Sequence, residues 1–402
     1  MKKIVLAYSG GLDTSVCVPW LKENYDAEIV TMTVDIGQVD DLAVIQKKAE
    51  DLGVLNHYSI DARQEFCEGY IFPCIRANGL YQNKYPLGTA LSRPLIATKL
   101  VDIAKKEGAV AVAHGSTGKG NDQVRFEVTI KGLDPSLEII APIREWNLTR
   151  DQELDYAQKN NIVLGNSSEY SIDENLWGRS IEGGKLEDLM YEPNEEVFQL
   201  VTPLTKTSDN EEEISLSFVE GIPKRLNGVE MGPVDLILEM NRKLGAHGIG
   251  IIDHIEDRLV GIKSREVYEC PAAIGIIEAH KELEKLVLTR RELSFKQRIE
   301  EEWAWLVYSG LWLEPLRYDL EAFIALTQKK VDGEVKMKLY KGNLRVSGRS
   351  STNSLYDYAM ATYEASSTFD QTSSTGFVEL WGLGSRTAFR ALQRGEGEKN
   401  EK

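Results

Sequence analysis

Ser9-Gly10-Gly11-Leu12-Asp13-Thr14-Ser15 is the stretch of this sequence whose residue types fit one chemistry most plainly, the holding of a phosphate chain. Two adjacent glycines let backbone amides turn toward an anion with no Cβ in the way. A helix starting just after them adds unpaired N–H groups at the positive end of its dipole. Ser9, Thr14 and Ser15 place hydroxyl donors in the same arc. Asp13 is the oddity, because a carboxylate beside phosphate is repulsive unless it caps the helix or faces a bridging Mg2+. The string is neither Gly-x4-Gly-Lys-Ser/Thr nor GxGxxG, so it matches neither the Walker loop nor the dinucleotide fingerprint. The plainer alternative is a tight strand-to-helix turn whose small residues merely start a helix.

A second concentration lies in His114-Gly115-Ser116-Thr117-Gly118-Lys119-Gly120-Asn121-Asp122-Gln123-Val124-Arg125-Phe126-Glu127. Its glycines give a flexible backbone, and its polar side chains give donors of several geometries. Arg125 offers a planar fork that meets a carboxylate in two bonds, while Thr117 and Asn121 suit a second anion. The alternative is a solvated glycine loop whose Asn or Asp caps a helix. Zinc chemistry finds no support, since the histidines form no HExxH pair and Cys17, Cys67, Cys74 and Cys270 form no CxxC pair.

These strings need a scaffold, and the flanking residues indicate which. Ile4-Val5-Leu6-Ala7-Tyr8 reads as a buried parallel strand entering the first glycine loop, with a helix predicted from Thr14 to Tyr25, kinked or tightened by Pro19. Strands are predicted at 28–34, 55–60, 109–113 and 138–141, and helices at 40–52, 62–77 and 92–107. This alternation predicts a doubly wound parallel sheet whose site lies at the carboxyl ends of its strands. Past about residue 165 the rhythm changes to a long run of turn residues, which predicts a domain boundary. Beyond it, 214–219 reads as an antiparallel strand, 234–244 and 272–289 as helices, and 335–340 with 344–347 as a hairpin around Gly342-Asn343, so this half is α+β. Ser366 to Ser374 reads as an extended linker, Phe377 to Leu392 as a short element or helix, and Gly395 to Lys402 as a frayed end. The expected domains are therefore 1–165, 166–365 and an arm over 366–402, within the two or three that 402 residues allow.

Composition narrows the function classes. The formal charge of −16, from 63 acidic and 47 basic residues, disfavours non-specific attraction to nucleic acid or anionic lipid. A content of 42% hydrophobic and 27% charged residues argues against wholesale disorder. No apolar run approaches the roughly 18 residues of a membrane-spanning helix. Met1-Lys2-Lys3-Ile4-Val5-Leu6 reaches polar Ser9 too soon for the apolar core of a signal peptide, so a cytoplasmic location is expected.

The heptapeptide at Ser9 resembles the PP-loop of the ATP pyrophosphatase superfamily, which implies cleavage of ATP between its α and β phosphates. Tyr85-Pro86-Leu87-Gly88-Thr89-Ala90 with Arg93-Pro94, the run His114 to Glu127, Tyr170-Ser171-Ile172-Asp173-Glu174-Asn175-Leu176-Trp177 with Ser180, Ile255-Glu256-Asp257-Arg258 and Lys263-Ser264-Arg265-Glu266-Val267-Tyr268-Glu269 follow in order. Together they resemble the argininosuccinate synthetase family over nearly the whole chain. The resemblance implies a homotetrameric ligase of arginine biosynthesis that joins L-citrulline to L-aspartate and turns ATP into AMP and pyrophosphate. Its arm, 366–402, would serve oligomerisation. It further implies that Ala7, Tyr8, Ser9, Gly10, Gly11, Leu12, Asp13, Thr14, Ser15, Val34 and Gly115 hold ATP, with Mg2+ as its companion. Thr117, Asn121 and Asp122 would hold aspartate, and Tyr85, Thr89, Asn121, Arg125, Ser171, Ser180, Glu256 and Tyr268 would surround citrulline. Where some members carry Ser this chain has Ala90, so that hydroxyl contact is missing or comes from Thr89.

A ureido carbon is a poor electrophile, so the implied reaction activates citrulline as an adenylate, with pyrophosphate leaving into the loop and aspartate then displacing AMP. Asp13, Asp122 and Arg125 are the expected catalytic residues, Asp122 as the group that orients the amine; no metal ligand set is identifiable from the sequence. Two competing readings are a PP-loop tRNA-modifying enzyme, which the negative charge and the lack of paired cysteines weigh against, and a sensor that binds nucleotide without turnover.

Overall fold

The structure, a computed structural model, describes residues 2–146, 150–162 and 169–400. The expected boundary at 165 lies outside the described residues. The first half runs β1 (Lys2–Ala7), α1 (Leu12–Tyr25), β2 (Ala27–Asp35), α2 (Leu42–Asp51), β3 (Asn56–Asp61), α3 (Arg63–Phe66), α4 (Phe72–Arg76), α5 (Gly88–Glu107), β4 (Ala111–Ala113), α6 (Asp122–Leu133), β5 (Glu138–Ile140), α7 (Pro142–Trp146) and α8 (Arg150–Lys159). The strands form one parallel sheet in the order β3-β2-β1-β4-β5. Strand alternation explains why the apolar run Ile4-Val5-Leu6 is continuous. Ile4 and Leu6 join a core with Val16, Val18 and Leu21 of α1, whereas Val5 joins a different core with Leu95, Leu100 and Val101 of α5. Helices therefore cover both faces, as a doubly wound sheet requires. Chain direction across the sheet reverses between β1 and β4, which makes the crevice beyond their carboxyl ends the switch point where such folds bind ligands.

The second half continues with β6 (Ser171–Asn175), β7 (Gly178–Glu182), β8 (Glu212–Val219), β9 (Ile222–Leu226), β10 (Val229–Glu230), α9 (Pro233–Ala246), β11 (Ile251–Asp257), β12 (Lys263–Glu269), α10 (Pro271–Val287), α11 (Arg290–Tyr308), α12 (Pro315–Gln328), β13 (Gly333–Tyr340) and β14 (Asn343–Ser350). Its strands make two antiparallel sheets, ordered β10-β9-β8-β13-β14 and β11-β12-β7-β6. The chain to Asn353 clusters as one body, and Ser354–Lys402 forms another that holds α13 (Tyr358–Ala361), α14 (Ser373–Trp381) and α15 (Leu383–Asn400).

Several local expectations change. The run His114 to Glu127 is a loop only as far as Asn121, because Asp122 opens α6; the three glycines conceal that helix start. The stretch read as turns after 165 contains the hairpin β6/β7, whose short, polar strands carry little periodic signal. Helix α1 runs uninterrupted through Pro19, and the helix predicted over 62–77 is broken by a π-helical turn at Cys67–Ile71. The hairpin turn falls on Lys341 and Gly342, both at positive φ, one residue earlier than predicted. Helices α11 and α12 were not foreseen, although Thr289 and Glu292 form a complete capping box at the start of α11. At the carboxyl end, α14 begins inside the expected linker and α15 continues to Asn400 where fraying was expected.

Candidate active site at the sheet switch point

The phosphate loop joins β1 to α1 as the sequence indicates. Gly10 has φ of +75°, in the left-handed region, and a Cβ there would stand 3.2 Å from Ile45 Cγ1. Gly11 caps α1 with no side-chain hydrogen bond, which leaves the helix amides to be satisfied by something else. Ser9 Oγ lies 3.0 Å from Thr14 Oγ1, the Tyr8 hydroxyl lies 3.1 Å from Ser15 Oγ, and Lys48 Nζ donates to the Gly10 carbonyl at 3.1 Å. Thr33 Oγ1 donates to the Tyr8 carbonyl from the adjacent β2, which also brings buried Val34 to this end of the sheet.

The loop after β4 meets the phosphate loop directly, since a Cβ on Gly115 would sit 3.0 Å from Thr14 Cγ2. Gln123 Nε2 donates to the Gly118 and Gly120 carbonyls at 2.6 and 3.2 Å, holding the glycine turn that carries exposed Thr117. Asn121, Asp122 and Arg125 then fall within the start of α6. Arg125 is almost wholly buried. Its Nη1 donates to Asp122 Oδ1 at 2.9 Å and Thr89 Oγ1 at 3.1 Å, its Nε donates to the Tyr308 carbonyl at 3.1 Å, and its Nη2 is buried without a partner. The Tyr85 hydroxyl accepts from the Thr89 amide at 2.8 Å and lies 2.7 Å from Thr89 Oγ1, so Tyr85 caps α5 from outside. Thr89 thus joins the cluster by its hydroxyl, while Ala90 is fully buried in the core.

The remaining expected residues come from one face of the four-stranded sheet. Register places Asp173 opposite Ser180, Ser180 opposite Tyr268, Ser171 opposite Glu182, Glu182 opposite Glu266, and Glu256 opposite Ser264. Residues directly opposite share a face, as do alternate residues on a strand, so Ser171, Asp173, Ser180, Glu256, Glu266 and Tyr268 all point the same way. Ile172, Ile181 and Val267 occupy the other face. The Tyr268 ring stacks on Tyr85 at 4.4 Å, and its hydroxyl donates to Glu256 Oε2 at 2.6 Å. Between sheet and helices lies a small cleft lined by Tyr85, Thr89, Asp173, Asn175, Ser180 and Tyr268. Asp173 Oδ2 and Asn175 Nδ2 are buried there without hydrogen-bond partners, an acceptor and a donor left for a ligand. Ser171 is exposed at the rim of this face.

Electrostatics tie the two halves together through Arg93, to which the sequence alone gives no role. Its Nε donates to Asp122 Oδ2 at 2.8 Å, and its Nη2 reaches Asp173 Oδ1 at 2.9 Å. Burial alone would raise the Asp122 carboxyl, but Arg93 and Arg125 outweigh it and hold the group below its ordinary pKa. Burial wins at Asp173, whose pKa is raised. Burial and the Glu182 and Glu256 carboxylates push the Glu266 carboxyl up, with Arg258 opposing. Replacing Arg93 with alanine leaves Asp122 only Arg125 and strips Asp173 of its cation, and the expected loss is on the order of 3 kcal/mol in urea unfolding. An unchanged unfolding midpoint would show that Arg93 bridges nothing of consequence. Tyr308, Arg93, Asp173, Asn175, Arg258 and Glu266 are site residues to which the sequence gives no role, and all but Tyr308 lie within the strings that carry the family resemblance.

Among the described residues no group of three or more His, Cys, Asp or Glu side chains is placed to hold a metal ion. A Mg2+ borne by phosphates needs only one or two protein carboxylates, and Asp13 in the first turn of α1 fits that smaller requirement. No helix among the described residues is long and apolar enough to cross a membrane.

Comparison with known proteins agrees with this geometry. Residues 3–163 match the arginosuccinate synthase N-terminal HUP domain, and residues 170–388 match the arginosuccinate synthase C-terminal domain. The argininosuccinate synthase of Pyrococcus furiosus is 56% identical over 97% of this chain and 95% of its own length. Those of Bacillus pumilus and Bacillus subtilis are 53% and 52% identical, each over 95% of both chains. A parallel nucleotide-binding sheet, an antiparallel half that closes over its switch point, and both family domains in order show that this chain belongs to the argininosuccinate synthase family.

Proposed function

We propose that this chain joins L-citrulline to L-aspartate at the expense of ATP, releasing argininosuccinate, AMP and pyrophosphate for arginine biosynthesis. The observation that carries the reading is the segment Gly115 to Arg125. One end touches the phosphate loop at Thr14, and the other ends in a buried guanidinium with an unpartnered N–H. A nucleotide on the loop and an amino acid on the guanidinium therefore share one crevice. Ala7 to Ser15, Val34 and Gly115 hold ATP. Thr117, Asn121 and Asp122 hold aspartate, and Tyr85, Thr89, Asn121, Arg125, Ser171, Ser180, Glu256 and Tyr268 surround citrulline.

In the first step the citrulline ureido oxygen attacks the α-phosphorus, the bond to the bridging oxygen breaks, and pyrophosphate departs. The loop amides and the Ser9 and Thr14 hydroxyls stabilise the charge that builds on the leaving group. Asp13 would hold Mg2+, which would supply charge neutralisation at the phosphates. In the second step the aspartate nitrogen attacks the ureido carbon, a C–N bond forms, the C–O bond breaks, and AMP leaves with both electrons. Asp122 is kept ionised by two guanidiniums, which suits it to accept a hydrogen bond from the amine and orient it; its lowered pKa makes it a weak base. Catalysis rests chiefly on positioning and preorganised charge, and none of the residues assigned here serves as a covalent nucleophile.

The test is pyrophosphate release across a panel of ureido compounds and amino acids. Release that requires both citrulline and aspartate supports the reading; nucleotide binding without release under any combination replaces it with a sensor.

The reading extends to a homotetrameric, cytoplasmic enzyme. In Ser354–Lys402 the side chains of Phe377, Leu380, Trp381, Leu383, Phe389 and Leu392 are exposed, a concentration of apolar surface that suits burial on a neighbouring copy. Truncation after Asn353 is expected to lower the mass measured by light scattering, and a truncated protein that remains tetrameric would remove the arm from assembly.

A further inference from the structure

We infer that Tyr308, at the carboxyl end of α11, is a positioning residue that sets the orientation of Asn121, Arg125 and Glu256 toward the two amino-acid substrates; this rests on the ligase reading above. Tyr308 is fully buried, and each part of it is engaged by a different member of the site. Its hydroxyl accepts from Asn121 Nδ2 at 2.8 Å and donates to Glu256 Oε1 at 2.7 Å, with the Asp257 carbonyl at 3.0 Å. Its ring lies 5.0 Å from the Arg125 guanidinium carbon and 3.4 Å from the stacked ring of Tyr81. Its carbonyl accepts from Arg125 Nε at 3.1 Å.

The direction of this relay is fixed by counting donors. Asn121 Oδ1 is taken by the Leu259 amide at 2.9 Å, so the amide side chain must turn its N–H toward Tyr308. The phenol then has a single hydrogen left, and the carboxylate of Glu256 is its nearest and strongest acceptor. The other oxygen of Glu256 is occupied by Tyr268 at 2.6 Å, so two phenols fix the plane of a buried carboxylate. Burial and the adjacent Glu256 push the Tyr308 phenol well up, which keeps it a donor at every working pH. A tyrosine serving only as core filling needs its ring and no specific hydroxyl contacts. Here the hydroxyl links α6, which carries the contacts expected to serve both amino acids, to β11, which carries one expected to serve citrulline.

Tyr308→Phe keeps the stack on Tyr81 and the carbonyl bond to Arg125 while removing both hydroxyl bonds. Hydrogen bonds to charged groups are worth about 1.5–3 kcal/mol, so KM for citrulline and for aspartate should each rise about tenfold or more, with KM for ATP unchanged. A purely structural role lowers the folded fraction, and thus Vmax, while leaving each KM as it was. Asn121→Ala provides the second arm. If Tyr308 acts through Asn121, the double variant raises KM for aspartate by less than the product of the single effects. Unchanged amino-acid KM values in Tyr308→Phe, an equal rise for ATP, or single effects that multiply would each overturn the assignment. Wild-type protein that forms no argininosuccinate would overturn the ligase reading instead, which keeps the two failures distinct.

Discussion

Substituting valine for Gly10 is expected to abolish pyrophosphate release while leaving a folded protein. Gly10 sits at φ of +75°, where a β-branched residue is a steric outlier costing on the order of 1–3 kcal/mol. Its Cβ would already press on Ile45 at 3.2 Å, and the second branch point of valine adds bulk on a residue whose carbonyl is held by Lys48. The chain escapes by rotating the peptide, which turns loop amides away from the leaving pyrophosphate. Losing one preorganised donor of this kind costs roughly 100- to 1,000-fold in turnover, and Gly10→Val disturbs more than one. Turnover is read as pyrophosphate released with all three substrates present, alongside circular dichroism for the fold. Undiminished release would remove this loop from the chemistry.

Arg125→Lys carries the second large effect, and it should fall on the amino acids and not on the nucleotide. Arg125 spends Nε and Nη1 on Tyr308, Thr89 and Asp122, which locks the plane of the guanidinium and leaves the buried Nη2 without a partner in the protein. A lysine ammonium is a single point of charge and cannot keep those bonds while offering a second planar donor. KM for citrulline should rise about 10- to 100-fold, while ATP affinity measured without citrulline stays unchanged. An equal loss for both ligands would mean that the substitution disturbs the fold rather than a carboxylate contact.

How much of this was legible in the sequence depends on whether a feature is local. The phosphate loop is contiguous, and its strand and helix flank it within a few residues, so residue types alone locate it. The parallel sheet was legible for the same reason, because Ile4-Val5-Leu6 of β1 is a continuous buried apolar run and the β-branched residues of β2 mark it as a strand. The four-stranded sheet was not. Its site face carries Asp173, Ser180, Glu182, Glu256 and Glu266, residues that in an isolated strand read as solvent-facing or as turns. Ser171, Ser180, Glu256 and Tyr268 were reachable only through the family resemblance, since strands distant in sequence must pair before they share a face. Arg93 lay inside a recognised string, yet its bridge from Asp122 to Asp173 depends on how the two halves dock. Tyr308 gave no signal, because Trp305-Leu306-Val307-Tyr308 at the end of a helix reads as core, and its hydroxyl matters only once Asn121 and Glu256 are beside it.

The central claim is that one crevice brings a ureido oxygen to the α-phosphorus of ATP, and the transfer of that oxygen tests it most directly. Citrulline labelled with heavy oxygen at the ureido position is incubated with the protein, ATP and aspartate, and the AMP formed is weighed by mass spectrometry. Attack through the ureido oxygen makes that atom the new bridge to phosphorus, and displacement by aspartate breaks its bond to carbon. The account predicts AMP that carries the label in equal amount to the argininosuccinate produced. Unlabelled AMP, with the heavy oxygen recovered in water, would contradict it even if argininosuccinate were formed.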